Sequence, residues 1–498
     1  MRKTFEQQLQ LGDLLIEDVI IPKKTRSHLA ALAKALKYIY VHHQWNSRIF
    51  ELISGKLSES QLNKGRAGMD LWEIFVLAQV RLCMNISYDE LHFMANDSEL
   101  VRGIMGVLRT DFKTGKQYSY QGIYDNVTLL DDELLTQIND VILEMGHQVF
   151  KKKGNTPKEA TASTSPTLRC KTDSFVVETD THFPTDYNLL WDSARKCVDI
   201  AEKLATKADD AGWRKAREWR RILKGQMRTI SGITGKGGKN KTERLQKATT
   251  AYLTKARALE KKVTHTLNNI SGCSPALVAS WLELTYYHQM LVKHIDLMDR
   301  RILQGEVIPH EEKLFSIFQP YTEWINKGKK NPSVEIGKRL VVTSDQFDLI
   351  VDWQIGENQT DNQLTLPVAD RLMSKYRLQS LSFDRGFYDK EDKEILETEI
   401  PEVIMPKKGK RSEQEKQLEE APSFVRQKNK HNAIESNINE LEHRGLNRCP
   451  DRSRSGFNRY IGLAVTAYNL HKIGRELQKQ EKKLAQRQAK SEPVGMAA

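Results

Sequence analysis

Three carboxylates stand where chemistry can be done. Asp173 belongs to KTDSFVVETD, in which the aromatic or β-branched Phe175, Val176 and Val177 sit among the polar Ser174, Glu178 and Asp180, a β-strand pattern. Asp384 follows the short strand LQSLSF and opens a glycine turn, Asp384-Arg385-Gly386-Phe387. Glu435 lies on a helix, one step around from the apolar Ile434 and Ile438, so it can lean towards the surface that those residues cover. Three carboxylates converging from separate elements suit two Mg2+ or Mn2+ ions and phosphoryl transfer. A cation also offsets the cost of partly burying acids. Glu178 and Asp180 are alternative first acids. Pro184 then breaks the strand, and Thr185 or Asp186 is a natural N-cap for the helix carrying Leu189, Leu190 and Trp191.

The elements that must position these acids make a mixed sheet. Beyond Leu314, Ser316–Ile325, Ser333–Thr343 and Phe347–Ile355 are β-rich, Gln363–Tyr376 is helical and Leu378–Phe383 is a strand. Glu391–Glu397 then reads as helix, Glu402–Met405 as strand, and Gln427–Arg444 as one helix whose apolar face carries Ile434, Ile438 and Leu441. A last helix covers Tyr460 to about Gln478, and the Gln- and Lys-rich tail is expected to fray. With the helical stretch from about Tyr187 to Gln304 lifted out, a mixed sheet with helices on its faces remains, an α/β fold. Ligand sites in such sheets gather at strand ends.

Residues 1–150 are helical, with runs at Ser27–Tyr40, Leu71–Met84, Ser87–Ala95 and Asp131–Val149, and Ser87, Asp97 and Ser119 at possible helix starts. Short helices and tight turns suit a helix-turn-helix-like DNA-binding unit and equally an all-helical packing module. The polar KKKGNTPKEATASTSPT that follows is an interdomain linker.

At 498 residues the chain is long enough for several domains. No apolar run approaches the ~18 residues a membrane helix needs, and MRKTFEQQLQLGDLL lacks an apolar export core, so a cytoplasmic protein is expected. Cys83, Cys170, Cys197, Cys273 and Cys449 are scattered singly, which fits a reducing compartment and excludes a zinc ribbon or disulfide framework. The net charge of +12 is unevenly placed: residues 211–262 hold 16 Lys and Arg against three Glu and no Asp. One segment thus carries essentially the whole basic excess, the footprint of a local polyanion contact. Within it Trp213 and Trp219 lie among Arg214, Lys215, Arg217, Arg220 and Arg221, and a flexible tip, SGITGKGGKN, supplies Lys236 and Lys239. Basic residues interleaved with aromatics suit a nucleic-acid backbone with stacking on unpaired bases; a solvated helical hairpin with its tryptophans packed inside is the competing reading. The GKGG tract is no P-loop, because no GK[ST] follows a strand.

Four blocks, TDSFVVETDTHFPTDYNLLWD, IPHEEKLFSIFQPYTEWINKGK, SFDRGFYD and HNAIESNINELEHRGL, occur in this order and closely resemble the DDE transposases of bacterial insertion sequences, best the ISNCY-like group. The resemblance covers most of the chain, from GRAGM near residue 65 to AYNLHKIGREL near 477. It implies an RNase H-like α/β core over 171–186 and 306–477, a helical DNA-binding region over 1–150, a linker over 151–170, a basic helical insertion over 187–305 and a disordered tail over 478–498. It also implies that Asp173, Asp384 and Glu435 are catalytic and hold two Mg2+ or Mn2+ ions. The 211 positions from Asp173 to Asp384 leave room for the insertion, and the 51 from Asp384 to Glu435 for one strand and its helices. The implied partners are double-stranded DNA, both terminal inverted repeats and target, and a second copy of the chain, because two DNA ends are joined; the implied place is the bacterial cytoplasm, at the nucleoid. Non-catalytic DNA binding and simple nuclease action are the alternatives, set apart by the acid triad and by strand-transfer products.

One departure stands out. Many related transposases carry Arg four residues before the last Glu and Lys seven after it; here those positions are His431 and Glu442. His431 at i−4 shares a helical face with Glu435 and could contact phosphate or the leaving strand. Arg444, Arg448, Arg452 and Arg454 form a second basic cluster, read as DNA-facing. Arg385 is either a phosphate ligand or a surface turn residue. Lys327, Lys329 and Lys330 either face DNA or solvate a turn, and His310 and Glu311 are structural on the family reading.

Overall fold

The strand that carries Asp173, β1 (Thr167–Thr179), is central in a computed structural model that describes residues 15–22, 25–57, 68–107, 116–151, 167–207, 211–236, 238–270, 275–326 and 333–491. Ahead of β1 come α1 (His28–Val41), α2 (Leu71–Met84) and α3 (Asp132–Lys151). After it come α4 (Asp186–Lys207), α5 (Ala216–Lys236), α6 (Lys241–Ile270) and α7 (Pro275–Met298). Then follow β2 (Val334–Ser344), β3 (Ile350–Ile355), α8 (Asp361–Lys375), β4 (Arg377–Phe383) and β5 (Val403–Ile404). The chain closes with α9 (Pro422–His431), α10 (Ala433–Leu441), β6 (Arg448–Cys449) and α11 (Arg454–Ser491).

The sheet is mixed. β1 pairs antiparallel with β2, from Lys171 opposite Ser344 to Glu178 opposite Gly337, and β2 pairs antiparallel with β3. Along its other edge β1 runs parallel to β4, from Thr167 opposite Arg377 to Thr172 opposite Phe383, and β4 runs parallel to β5. Further along that edge Glu178 and Thr179 pair with Arg448 and Cys449 of β6. The strand order is therefore 3-2-1-4-5, with β6 beside the far end of β1. Phe175, Val176 and Val177 are buried in succession, as expected of a strand covered on both faces.

Two compact units make up the chain: Met1–Asp180 with Gly337–Ala498, and Thr181–Ile336. The first holds most of the sheet and the amino-terminal helices, so residues 1–150 are not a separate body. The second extends beyond the expected insertion 187–305, because 306–336 belong with α4–α7. The linker expected over 151–170 falls mostly outside the described residues.

α11 organises the first unit. From Tyr460 to His471 every residue is buried, so the helix is apolar on all sides and runs through the interior. α1, α2 and α3 pack on it. α2 is equally enclosed; the Asp70 N–H donates to Glu73 (3.1 Å) to cap its start, and Asn85 ends it in the left-handed region at φ 51°. The tail expected to be disordered from 478 is instead helical to Ser491, because Gln, Lys, Glu, Ala and Leu are strong helix formers that extend a helix already anchored.

Other expectations need correction. The β-rich Ser316–Ile325 is strand only from Glu323, in the short strand Glu323–Asn326. Ser98, not Asp97, caps the short helix Glu99–Ile104, its hydroxyl accepting from the Val101 N–H. Gln427–Arg444 is not one helix: it breaks at Asn432, between α9 and α10. The apolar spacing of Ile434, Ile438 and Leu441 marks α10 alone and says nothing of the residues before it.

Where α1 crosses α11, a Cβ on Gly474 would stand 1.8 Å from the Ala31 carbonyl oxygen. Gly474→Ala is therefore expected to force the helices apart and cost about 3 kcal/mol. Urea denaturation checks this, and an unchanged midpoint would refute the close crossing.

Candidate active site

Thr172 and Phe383 are the last partners in the β1–β4 register, and Asp173 and Asp384 each follow immediately on that pair. From there the strands part: β1 continues to β6, while β4 ends in the turn Arg385–Phe387, with Asp384 at its N-cap and the Asp384 carbonyl accepting from Phe387 N–H (3.2 Å). α10 packs against β1, and Asn437 Nδ2 donates to Ser344 Oγ at the end of β2 (3.1 Å). Ile434, Ile438 and Leu441 are buried as the spacing predicts, and Glu435 is left exposed at the start of α10.

Asp173 is half-buried, and its Oδ1 accepts from the Ser174 N–H (2.7 Å). Burial pushes its carboxyl up to about 7 against that hydrogen bond, and the negative charges of Asp384, Asp361 and Glu435 push it the same way. The three expected acids are thus electrostatic neighbours. Asp384 and Glu435 are exposed, and none of the three forms an ion pair with a described Lys or Arg. Glu178 and Asp180 are elsewhere: Glu178 pairs with β6, and Asp180 accepts from Arg448 (2.8 Å). Among the described residues no three His, Cys, Asp or Glu side chains stand close enough together to hold an ion as they are placed.

Asp361 was not anticipated. It is the first residue of α8, accepts a hydrogen bond from Ser174 Oγ (2.7 Å) and is ion-paired with Arg339. Gly386 lies against it: a Cβ there would be 2.9 Å from Asp361 Oδ2. The available signal was the capping box Thr360–Gln363, which places Asp361 at the start of a helix but not beside β1.

His431 is not where a phosphate contact would be. It ends α9, is 9% exposed, and shares a hydrogen bond with Ser382 Oγ (3.0 Å). Burial lowers its imidazole to about 4 despite the opposing pull of Asp384, so it is neutral at physiological pH. Arg444 is buried too, donating to the Cys83 carbonyl (2.8 Å) and to Glu440 (3.0 Å), with His471 Nδ1 at 2.6 Å. Arg448, beside Asp180, and Arg452 are exposed, while half-buried Arg454 is ion-paired with Glu357. Arg385 is exposed next to Asp384.

In the second unit Trp213 is 4% exposed, its indole N–H donating to Thr266 Oγ1 (2.9 Å), with Lys262 above the ring. Trp219 packs on the same core under Lys255, 3.9 Å from the ring centroid. Neither indole is a stacking platform; the tryptophans pack inside, because α4–α7 need large apolar side chains to fill their core. Arg220 is held by Asp199 (2.7 Å) and Glu202 (2.8 Å). Arg214, Lys215, Arg217, Arg221, Lys236 and Lys239 are exposed. Asp186 is the first residue of α4 rather than its cap, and is ion-paired with Arg301 (2.7 Å). His310 lies beside Phe315, 5.4 Å between rings, and Glu311 is exposed. Lys327, Lys329 and Lys330 lie outside the described residues.

A carboxyl held near 7 when folded and near 4 when unfolded keeps its proton in the folded state while the unfolded chain loses it. Stability is therefore lost as pH rises through that interval. Asp173→Asn is expected to raise Tm at pH 8 and leave it nearly unchanged at pH 4; equal shifts at both would count against the cluster. Trp213→Ala is expected to lower the melting temperature of the second unit, whereas Arg217→Ala leaves it unchanged, as differential scanning calorimetry would show.

Comparisons with protein-family models, with curated proteins and with solved structures give no match.

Proposed function

We propose that the chain is a DDE-type DNA transposase, with an RNase H-like core in its first unit. The observation that carries this reading is that Asp173 and Asp384 follow directly on the last pair of the β1–β4 register, where the two strands part, with Glu435 on the helix packed against β1. The strand order 3-2-1-4-5, with two antiparallel pairings followed by two parallel ones, supports it. So does the resemblance of the four sequence blocks that carry these acids.

The donor set suits a hard divalent cation. It offers carboxylate oxygens without thiolate or imidazole, and Asp173 carries repulsion that no described cation relieves. Asp384 and Glu435 hold no ion pair among the described residues that an ion would have to displace. Asp173, Asp384 and Glu435 would hold two Mg2+ or Mn2+ ions, which when bound neutralise phosphate charge and acidify the attacking water.

The chain's own residues supply position. Half-buried Asp173 fixes the floor of the site through its strand and the Ser174 N–H. Ser174 and Arg339 hold Asp361 against the Asp384 turn, which keeps β4 from drifting away from β1. Exposed Arg385 is placed to steady a backbone phosphate. Water adds to the phosphorus at the element's end as the 3′-oxygen leaves and takes up a proton. That 3′-hydroxyl then attacks a target phosphodiester in line, displacing the target's own 3′-oxygen. The exposed arginines and lysines of α5 and the residues beside it supply non-specific attraction to the duplex. DNA of the terminal inverted repeats and target, joined by a homodimer, is the substrate on this reading.

Purified protein with Mg2+ and its own terminal repeats is expected to nick them and join the 3′ ends to target DNA. Asp384→Asn should lower the rate by at least about a hundredfold while DNA binding persists. Wild-type protein that binds the repeats and never cuts them would sink the proposal in favour of a non-catalytic binder.

A further inference from the structure

One hydrogen bond joins the strand that delivers Asp384 to the helix that immediately precedes the one carrying Glu435. Ser382 lies two residues before Asp384 at the end of β4; His431 ends α9 four residues before Glu435. The Ser382 hydroxyl donates to the Cys170 carbonyl of β1 (3.3 Å), so its oxygen accepts from His431 Nδ1–H (3.0 Å). The chain of contacts thus runs from β1 through β4 to the α9–α10 junction, and it is buried throughout: Cys170 is 1% exposed, Ser382 5% and His431 9%.

Packing alone does not explain a histidine here. His431 Nε2 is buried with no hydrogen-bond partner among the described residues. A phenylalanine would fill the same volume without leaving that nitrogen unsatisfied. The imidazole is retained for the one nitrogen that is bonded. The chain breaks its helix at Asn432 immediately afterwards, so the direction in which α10 sets out is fixed by where His431 is held.

We infer that His431, through Ser382, is a positioning residue that fixes the separation of Asp384 and Glu435, rather than a contact to DNA. This rests on the acid-site reading above. It takes the position where related transposases place an arginine and gives it a different task, made inside the protein. Side chains that orient ligating groups from behind change cation affinity by about 10-fold or more when removed.

The experiment compares Ser382→Ala, His431→Phe, His431→Asn and the double variant Ser382→Ala/His431→Phe. Asparagine keeps an N–H where Nδ1 stands; phenylalanine keeps the ring and loses the donor. Hydrogen exchange of the cation-free protein is followed over residues 383–387 and 432–436, and Mg2+ is titrated by its effect on Tm. Ser382→Ala and His431→Phe should each speed exchange in both segments and raise the Mg2+ midpoint about tenfold, with His431→Asn close to wild type. The double variant should be no worse than Ser382→Ala alone, because that change already removes the bond to His431. The reverse ranking, Phe tolerated and Asn not, would show a packing role and overturn the inference, as would additive single effects. If wild-type protein gives no Mg2+ response, the acid-site reading fails, and hydrogen exchange alone then decides whether the tether exists.

Discussion

The second edge of β1 is paired at both ends and open between them. β4 accompanies it as far as Thr172, β6 joins it at Glu178, and roughly 20 Å of strand separates those two residues. On the opposite edge β2 pairs through the whole interval, so the β1 backbone keeps a partner along it. A strand that lost its partner on both sides would twist away or seek another chain. Here one continuous ladder holds the backbone while the other is interrupted, and the interruption admits carboxylates into the middle of a sheet. Everything that shapes the cluster serves to keep that gap from closing: the short turn after Phe383, the helix break at Asn432, and Asp361 lodged against Gly386.

The electrostatics follow from that geometry. Like charges gathered at a half-buried strand repel, and the chain relieves some of them selectively. Asp361 has Arg339, and Asp180 has Arg448. Asp173, Asp384 and Glu435 are given no such partner among the described residues, although the protein as a whole is basic. Local charge is thus uncoupled from net charge. The lysines and arginines that make the chain basic are concentrated in the second unit and on its exposed helix faces, while the acid cluster belongs to the first.

How much of this was legible in the sequence depends on the distance over which each residue's role is set. β4 and the turn at Asp384 were plain, because a short apolar run stopping at a glycine turn is a local signal. Leu71–Met84 was equally plain, its end residues matching the helix observed. Arg444 was misread because an arginine in a basic cluster looks solvated, and its partners Cys83 and His471 are 361 and 27 residues away. Trp213 was misread for the opposite reason: its charged neighbours are exposed, but the core shared by α4–α7 takes the ring. Asp361 had no local mark of function at all. Its significance comes from a hydrogen bond to Ser174, 187 positions earlier.

α11 also bears on how such a chain comes to be folded. His28 on α1 bonds to His471 on α11 at 3.0 Å across 443 residues, and the apolar faces of α1, α2 and α3 have that last helix as their partner. During synthesis those helices must wait, uncovered, until α11, hundreds of residues later, has left the ribosome. Long-range closure of this kind is slow, and the waiting surface is sticky. The acid cluster, framed by elements that lean on α11, is completed only once that helix has docked.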